Sequence, residues 1–150
     1  MSDRPDFWDE AAELIDARPI GFLATVDGDQ PIVRAVTPAW DGITAFIATD
    51  PSTPKVRQIQ RNPLVDLIHW GQDFRHVGLR ARAQLITDPE TLEHLWGAFP
   101  YELSDYFDRS DTPAQGKAAF SVIRLQPFRI ELWSLPSLAT GTPPQVWRAD

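Results

Sequence analysis

The sequence predicts a mainly β domain: a small antiparallel barrel of six or seven strands with flanking helices. Apolar segments of strand length recur along the chain, and tight-turn signals at Gly28 and Gly42 separate three of them. Helical segments interrupt this series of strands. A chain of 150 residues fits a single domain, which would bury about 70% of its unfolded surface.

The first half of the chain is predicted to begin with a helix and continue in hairpins. An amphipathic stripe ended by Pro19 gives a helix, and a proline at position 63 stops a second, shorter helix. We expect helices at 6–17 and 52–61, and strands at 21–26, 31–40, 43–49 and 64–70.

The second half is predicted to contain one long strand, a capped helix and two further strands. Asp88 and Pro89 are typical of a helix start. The expected elements are strands at 74–86, 118–125 and 128–135, a helix at 87–97, helical continuation at 101–107, and an extended tail over 136–150 packed through Trp147.

Composition excludes several classes of function. The chain has no cysteine, which rules out disulfides and thiolate chemistry, and its net charge of −7 argues against nucleic-acid binding. No secretory signal or apolar run of about 20 residues is visible, so we expect a cytoplasmic protein without membrane contact.

The charge is unevenly distributed. Residues 34–82 carry seven basic and four acidic side chains, a net +3, whereas the rest of the chain carries −10. The middle third is therefore the region expected to bind a small anion, although some of these arginines can simply solvate strand faces.

A phosphate site is predicted where a strand leads into a helix, at Ser52, Thr53 and Lys55. Helix starts attract anions, and a lysine there is unfavourable unless an anion binds. Ser52 is equally consistent with an ordinary helix cap. Arg34 interrupts an apolar strand, which fits either a bound anion or a solvated strand face.

The histidines give no recognisable metal spacing. His69 and His76 could face each other on paired strands, but neither Asp66 nor Asp73 completes a zinc pattern, and His94 is expected to be structural.

Four local patterns, in order over about residues 20–133, resemble the FMN-binding split barrels related to pyridoxamine 5′-phosphate oxidase, especially their general stress protein branch. The patterns are Arg34-Ala35-Val36-Thr37; Ala48-Thr49 with Ser52 and Lys55; Ile68-His69-Trp70 followed by Arg75-His76; and Glu131-Leu132-Trp133.

The resemblance implies a split β-barrel that forms a homodimer with FMN at the interface. It implies that Arg34, Thr49, Ser52 and Lys55 hold the phosphate and ribityl chain. The other implied cofactor-binding residues are Ala35, Val36, Thr37, Ala48, His76 and Trp133.

Two departures from the family pattern matter. His76 stands where the family has a glutamine that contacts flavin from the partner subunit. The arginine and histidine that grip the substrate of true pyridoxamine-phosphate oxidases do not follow Trp133. We therefore expect a different substrate.

The leading hypothesis is an FMN-dependent oxidoreductase that transfers two electrons to a small molecule, with no residue assignable as catalytic acid or base. The alternatives are an F420-dependent reductase that recruits Arg57 and Arg61, a non-catalytic flavin or haem binder, and an empty structural barrel.

Overall fold

The protein forms one antiparallel sheet with helices packed around it. The structure, a computed structural model, describes residues 3–107 and 119–150. The elements in chain order are α1 (Trp8–Ala17), β1 (Gly21–Asp27), β2 (Gln30–Val36), β3 (Ala39–Asp41), β4 (Thr44–Thr49), α2 (Pro54–Arg61), β5 (Leu64–Trp70), β6 (His76–Ile86), α3 (Pro89–Leu95), α4 (Ser104–Phe107), β7 (Ser121–Trp133), α5 (Leu135–Ala139) and β8 (Gln145–Arg148).

Non-local pairing sets the order of the strands in the sheet. They run β2-β1-β5-β6-β7-β4-β3, with β8 added on β7. Among the described residues the sheet is not closed, since β2 and β3 lie at its two ends. Both predicted glycine turns are present, because Gly28 and Gly42 have φ of +60° and +56°, which side chains with a Cβ rarely adopt.

The predicted strand at 31–40 is two strands, because the chain leaves the sheet at Thr37 and Pro38. The two strands predicted at the end of the chain are instead one, β7. Pro127 lies between the two predicted strands and pairs with Ala81 of β6, next to a β-bulge in which Phe128 is the extra residue of β7. Proline is found in strands mainly at edges and bulges. Ala118, the predicted strand start, lies outside the described residues.

The tail also differs from the prediction. Residues 136–150 were expected to be extended, but the first of them belong to the helix α5. Its N-terminus is capped by reciprocal hydrogen bonds between Ser134 and Ser137. β8 is extended and pairs with this chain's own β7, placing Trp147 opposite Ile130. β8 therefore adds a strand to the sheet of its own chain.

Two cores hold the fold together. One lies between α1 and the sheet and contains fully buried Leu23, Leu67 and Leu79. The other is largely aromatic and packs α3 and α4 on the end of β7 around Phe120. The second core fixes the segment around α4 beside the cavity described below.

His69 is entirely buried in the first core. Its Nε2 lies 3.3 Å from the Pro19 carbonyl oxygen, and its Nδ1 has no hydrogen-bond partner. Burial lowers the pKa of His69, against a smaller raising effect of the Pro19 carbonyl. His69 pairs with Val77 and His76 with Trp70, so the two histidines lie on opposite faces of the sheet and do not face each other.

We expect the free energy of unfolding to fall as the pH drops below about 6.5. His69 is protonated at this pH in the unfolded chain, whereas its lowered pKa keeps it neutral in the folded protein. His69→Gln should flatten the pH dependence of the unfolding free energy, measured by urea denaturation between about pH 7.5 and 5.5. An equally steep dependence in this variant would contradict the assignment.

Candidate functional site

A cavity of about 710 Å³ lies where β2 and β4 end and α2 begins. Such a volume falls in the range of small-ligand sites. Its described lining comprises Ile20, Arg34, Ala35, Val36, Thr37, Ile47, Ala48, Thr49, Asp50, Ser52, Thr53, Lys55, Pro100, Tyr101, Tyr106 and Phe107. Eight of the ten residues predicted to bind the cofactor are therefore brought together.

Arg34 is held in place by neutral oxygen acceptors. Its guanidinium donates to the Leu23 carbonyl at 3.3 Å, to Thr25 Oγ1 at 2.7 Å and to Gln58 Oε1 at 2.8 Å. These bonds orient the guanidinium without neutralising its charge, and burial lowers the pKa of Arg34. Arg34 is half-buried and hydrogen-bonded, so its side chain does not simply extend from the strand into solvent.

Lys55 is the second cation of the cavity. Its Nζ makes one long contact, 3.5 Å to Thr53 Oγ1. The pKa of Lys55 is lowered by burial and further by Arg34, whereas Asp50 opposes that shift. Among the described residues, neither Lys55 nor Arg34 has a carboxylate within ion-pair distance. The two cations create a positive field that an anion would relieve.

The loop before α2 differs from the prediction. The helix begins at Pro54 with Thr53 as N-cap, not at Ser52. The Ser52 backbone N–H and hydroxyl both donate to Asp50 Oδ1, at 2.8 and 2.7 Å, and these bonds lower the pKa of Asp50. The Ser52 hydroxyl proton is thus engaged by Asp50, and Ser52 can bind a phosphate by donation only after rotating.

Another part of the cavity lining is apolar and aromatic. It includes Ile20, which is 55% exposed, and Tyr106, which is 60% exposed. Tyr101 packs edge-to-face on Tyr106 with ring centroids 5.3 Å apart. The cavity therefore combines a cationic side with an aromatic side.

His76 and Trp133, the other two predicted cofactor residues, lie outside this cavity. They line a smaller groove of about 270 Å³ on the face formed by β1, β2, β5, β6 and β7. The His76 ring is stacked between Trp70 and Trp133, at centroid distances of 5.5 and 5.7 Å. Its Nδ1 is buried without a partner, and burial lowers the pKa of His76 while Glu131 opposes the shift.

The sequence prediction missed several residues of the site. Thr25 and Gln58 orient Arg34, and Tyr101 and Tyr106 form the aromatic wall. Only Gln58 had a local signal, because it lies three residues after Lys55 and so on the same face of the helix. The others enter through strand pairing and through the packing of the segment around α4.

Comparison with known proteins decides the family. A family model of pyridoxamine 5′-phosphate oxidase matches residues 7–134. This chain belongs to the pyridoxamine 5′-phosphate oxidase family. General stress protein 26 of Bacillus subtilis is 27% identical over 116 residues, which cover 74% of this chain and 80% of the relative.

Several solved structures have the same fold as this protein. A putative pyridoxamine 5′-phosphate oxidase from Listeria innocua matches with a TM-score of 0.68 and 25% identity, over 85% of this chain and 98% of its own. General stress protein 26 from Bacillus anthracis matches with a TM-score of 0.71 and 20% identity, over 94% and 97%. The predicted split barrel is confirmed, with eight described strands rather than six or seven.

The described part of the chain, residues 3–107 and 119–150, has neither a metal-binding cluster nor a membrane-spanning helix. No cluster of three or more histidine, aspartate or glutamate side chains there could hold a metal ion. None of the helices over 3–107 and 119–150 has the length and apolar character needed to span a bilayer.

Proposed function

We propose that this protein binds FMN and uses it for two-electron transfer to a small molecule. The observation that carries the proposal is that two cations, Arg34 and Lys55, share one cavity, and that neither forms an ion pair with a carboxylate among the described residues. A phosphate monoester supplies the missing negative charge and several acceptor oxygens. Family membership adds support, as does a fold neighbour from Nostoc punctiforme described as FMN-binding.

We assign the residues of the cavity to the parts of a bound mononucleotide as follows. Arg34 and Lys55 would take the phosphate, and Thr49 the ribityl chain. Backbone groups of Val36 and Thr37 would contact the ring. From Arg34 to Thr37 the chain spans about 10 Å, which separates a phosphate from a ring bound at the far end.

We propose a homodimer in which the second groove completes the site of the partner. The face that carries His76 and Trp133 also exposes Phe22, Val33 and Ile68, at 44%, 63% and 37%. Apolar side chains gathered on one sheet face are typical of an interaction surface. In the proposed dimer, as the family resemblance implies, His76 and Trp133 would lie at the edge of the partner's flavin.

Bound flavin would supply the redox chemistry, and the chain would bind, orient and shield it. Arg34, held by Thr25 and Gln58, fixes one end of the ligand without rearrangement on binding. Ile47 and Phe107, both buried beside the cavity, exclude water from its inner side. No side chain is assigned a proton-transfer role.

The alternative cofactors fit less well. An F420 tail would recruit Arg57 and Arg61, but neither lines the cavity, and the Arg57 guanidinium donates to the Ser52 carbonyl oxygen. One fold neighbour is a heme binding protein from Mycobacterium smegmatis. However, no histidine is among the described residues lining this cavity, whereas histidine is a common ligand of haem iron.

The test is an absorption spectrum of the purified protein followed by titration with FMN, F420 and haem. We expect flavin absorbance, or quenching of FMN fluorescence with saturable binding. A colourless protein that leaves FMN fluorescence unchanged would exclude the proposal. Turnover of NAD(P)H with common acceptors then separates an oxidoreductase from a non-catalytic flavin binder.

A further inference from the structure

Tyr106, on the aromatic wall of the cavity, lies at the surface and is not part of either core as described. Tyr106 is 60% exposed, although tyrosine rings in a stable fold usually bury most of their apolar surface. Its described ring contact is with Tyr101. Tyr106 therefore contributes little to either core, and what it offers is an open ring surface beside two cations.

The wall is also held firmly from behind. Tyr101 packs on Phe99 with centroids 5.7 Å apart, and Phe99 contacts Phe120 in the aromatic core. Phe107, adjacent to Tyr106, is 7% exposed and packs on the same core residue. An aromatic surface fixed in this way loses little conformational entropy when a ligand binds.

Tyr101 is the member of the wall whose ionisation is suppressed. Burial, with a contribution from Tyr106, raises the pKa of Tyr101 to about 12, so its phenol does not ionise to neutralise Lys55. Among the described residues, Arg34 and Lys55 thus remain without an ion-paired anionic group. A neutral aromatic surface favours a flat apolar group rather than a second charge.

We propose that Tyr101 and Tyr106 form a ring subsite, which makes the cavity selective for a phosphate joined to a planar aromatic ring. This inference rests on the proposed function and extends it, since charge alone would accept any small phosphate. The subsite packs against the ring while Arg34 and Lys55 hold the phosphate. Both contacts are made by one protomer, independently of the groove with His76.

The test measures the Kd of FMN for Tyr106→Ala across a series of salt concentrations. We expect about a 5- to 10-fold weakening that is equal at low and high salt, because a ring contact is not screened. Tyr106→Phe keeps the ring and should bind like the parent. Phe128→Ala removes a 41% exposed aromatic side chain outside the cavity and should not change the Kd.

The outcomes separate the two proposals. An unchanged Kd for Tyr106→Ala, or a weakening that depends on salt, would overturn the ring subsite. If the parent protein does not bind FMN at all, the proposed function fails first. If FMN binds and Lys55→Ala alone weakens it, the phosphate site stands and the ring subsite does not.

Discussion

Replacing Lys55 with alanine is expected to weaken FMN binding by about 1.5–3 kcal/mol, roughly 10- to 150-fold in Kd. Lys55 is half-buried and has no carboxylate partner among the described residues. Its ammonium is therefore available to a phosphate oxygen in a partly desolvated site, where a charge-assisted bond is strong. Titration of flavin fluorescence measures the effect directly.

Lys55→Ala should leave the ligand-free protein at least as stable as the parent. The lowered pKa of Lys55 means that burial and Arg34 disfavour its charge, so removing that charge relieves a repulsion. Arg57→Ala is the matched control, because Arg57 is a nearby exposed cation outside the cavity. Equal losses in both variants would indicate a diffuse charge effect or a longer anionic tail.

Gly21→Ala is expected to lower the free energy of unfolding by about 1–3 kcal/mol. A methyl group at residue 21 would lie 2.5 Å from Cε1 of His69. The His69 ring is 0% exposed, contacts Trp40 at a centroid distance of 5.8 Å and lies against the Pro19 carbonyl. It has no free space to move into, so the strain must be taken up by β1 or by the core.

The comparison for this prediction is Gly97→Ala. A methyl group at Gly97 would meet no atom within 4 Å, and Gly97 is exposed, so we expect a change within about 0.5 kcal/mol. Chemical denaturation of both variants at one pH gives the difference. A Gly21→Ala protein as stable as Gly97→Ala would show that the packing around His69 is looser than described.

Local features of the fold were predictable because each depends on a few neighbouring residues. Gly28 and Gly42 permit the positive φ of their turns, and Asp88 caps α3 by accepting from the Thr91 N–H at 2.9 Å. Failures occurred where a distant strand decided the outcome. Two strands were predicted at 118–125 and 128–135, but pairing with β6 continues past Pro127 through a bulge at Phe128, so that β7 is a single strand.

The residues of the site also fall into two groups, those predicted from local sequence and those that depend on tertiary contacts. Arg34 and Lys55 were predicted from local signals, a cation within an apolar strand and a cation at a helix start. Thr25 and Gln58 were not, because they reach Arg34 across a strand pair and from α2. Ser52 lies in the cavity as predicted, but the bond of its hydroxyl to Asp50 was not foreseen, because Asp50 was not considered as its acceptor.

The sequence by itself determined the alternation of strands, turns and helices and the position of the two cations, because chain-local periodicity and backbone preferences encode these. Only the tertiary structure decided that the cations share a cavity with Tyr101 and Tyr106, and that His76 lies in a separate groove. The physical reason is that antiparallel pairing joins residues far apart in the chain, and the pairing register decides which face each side chain occupies.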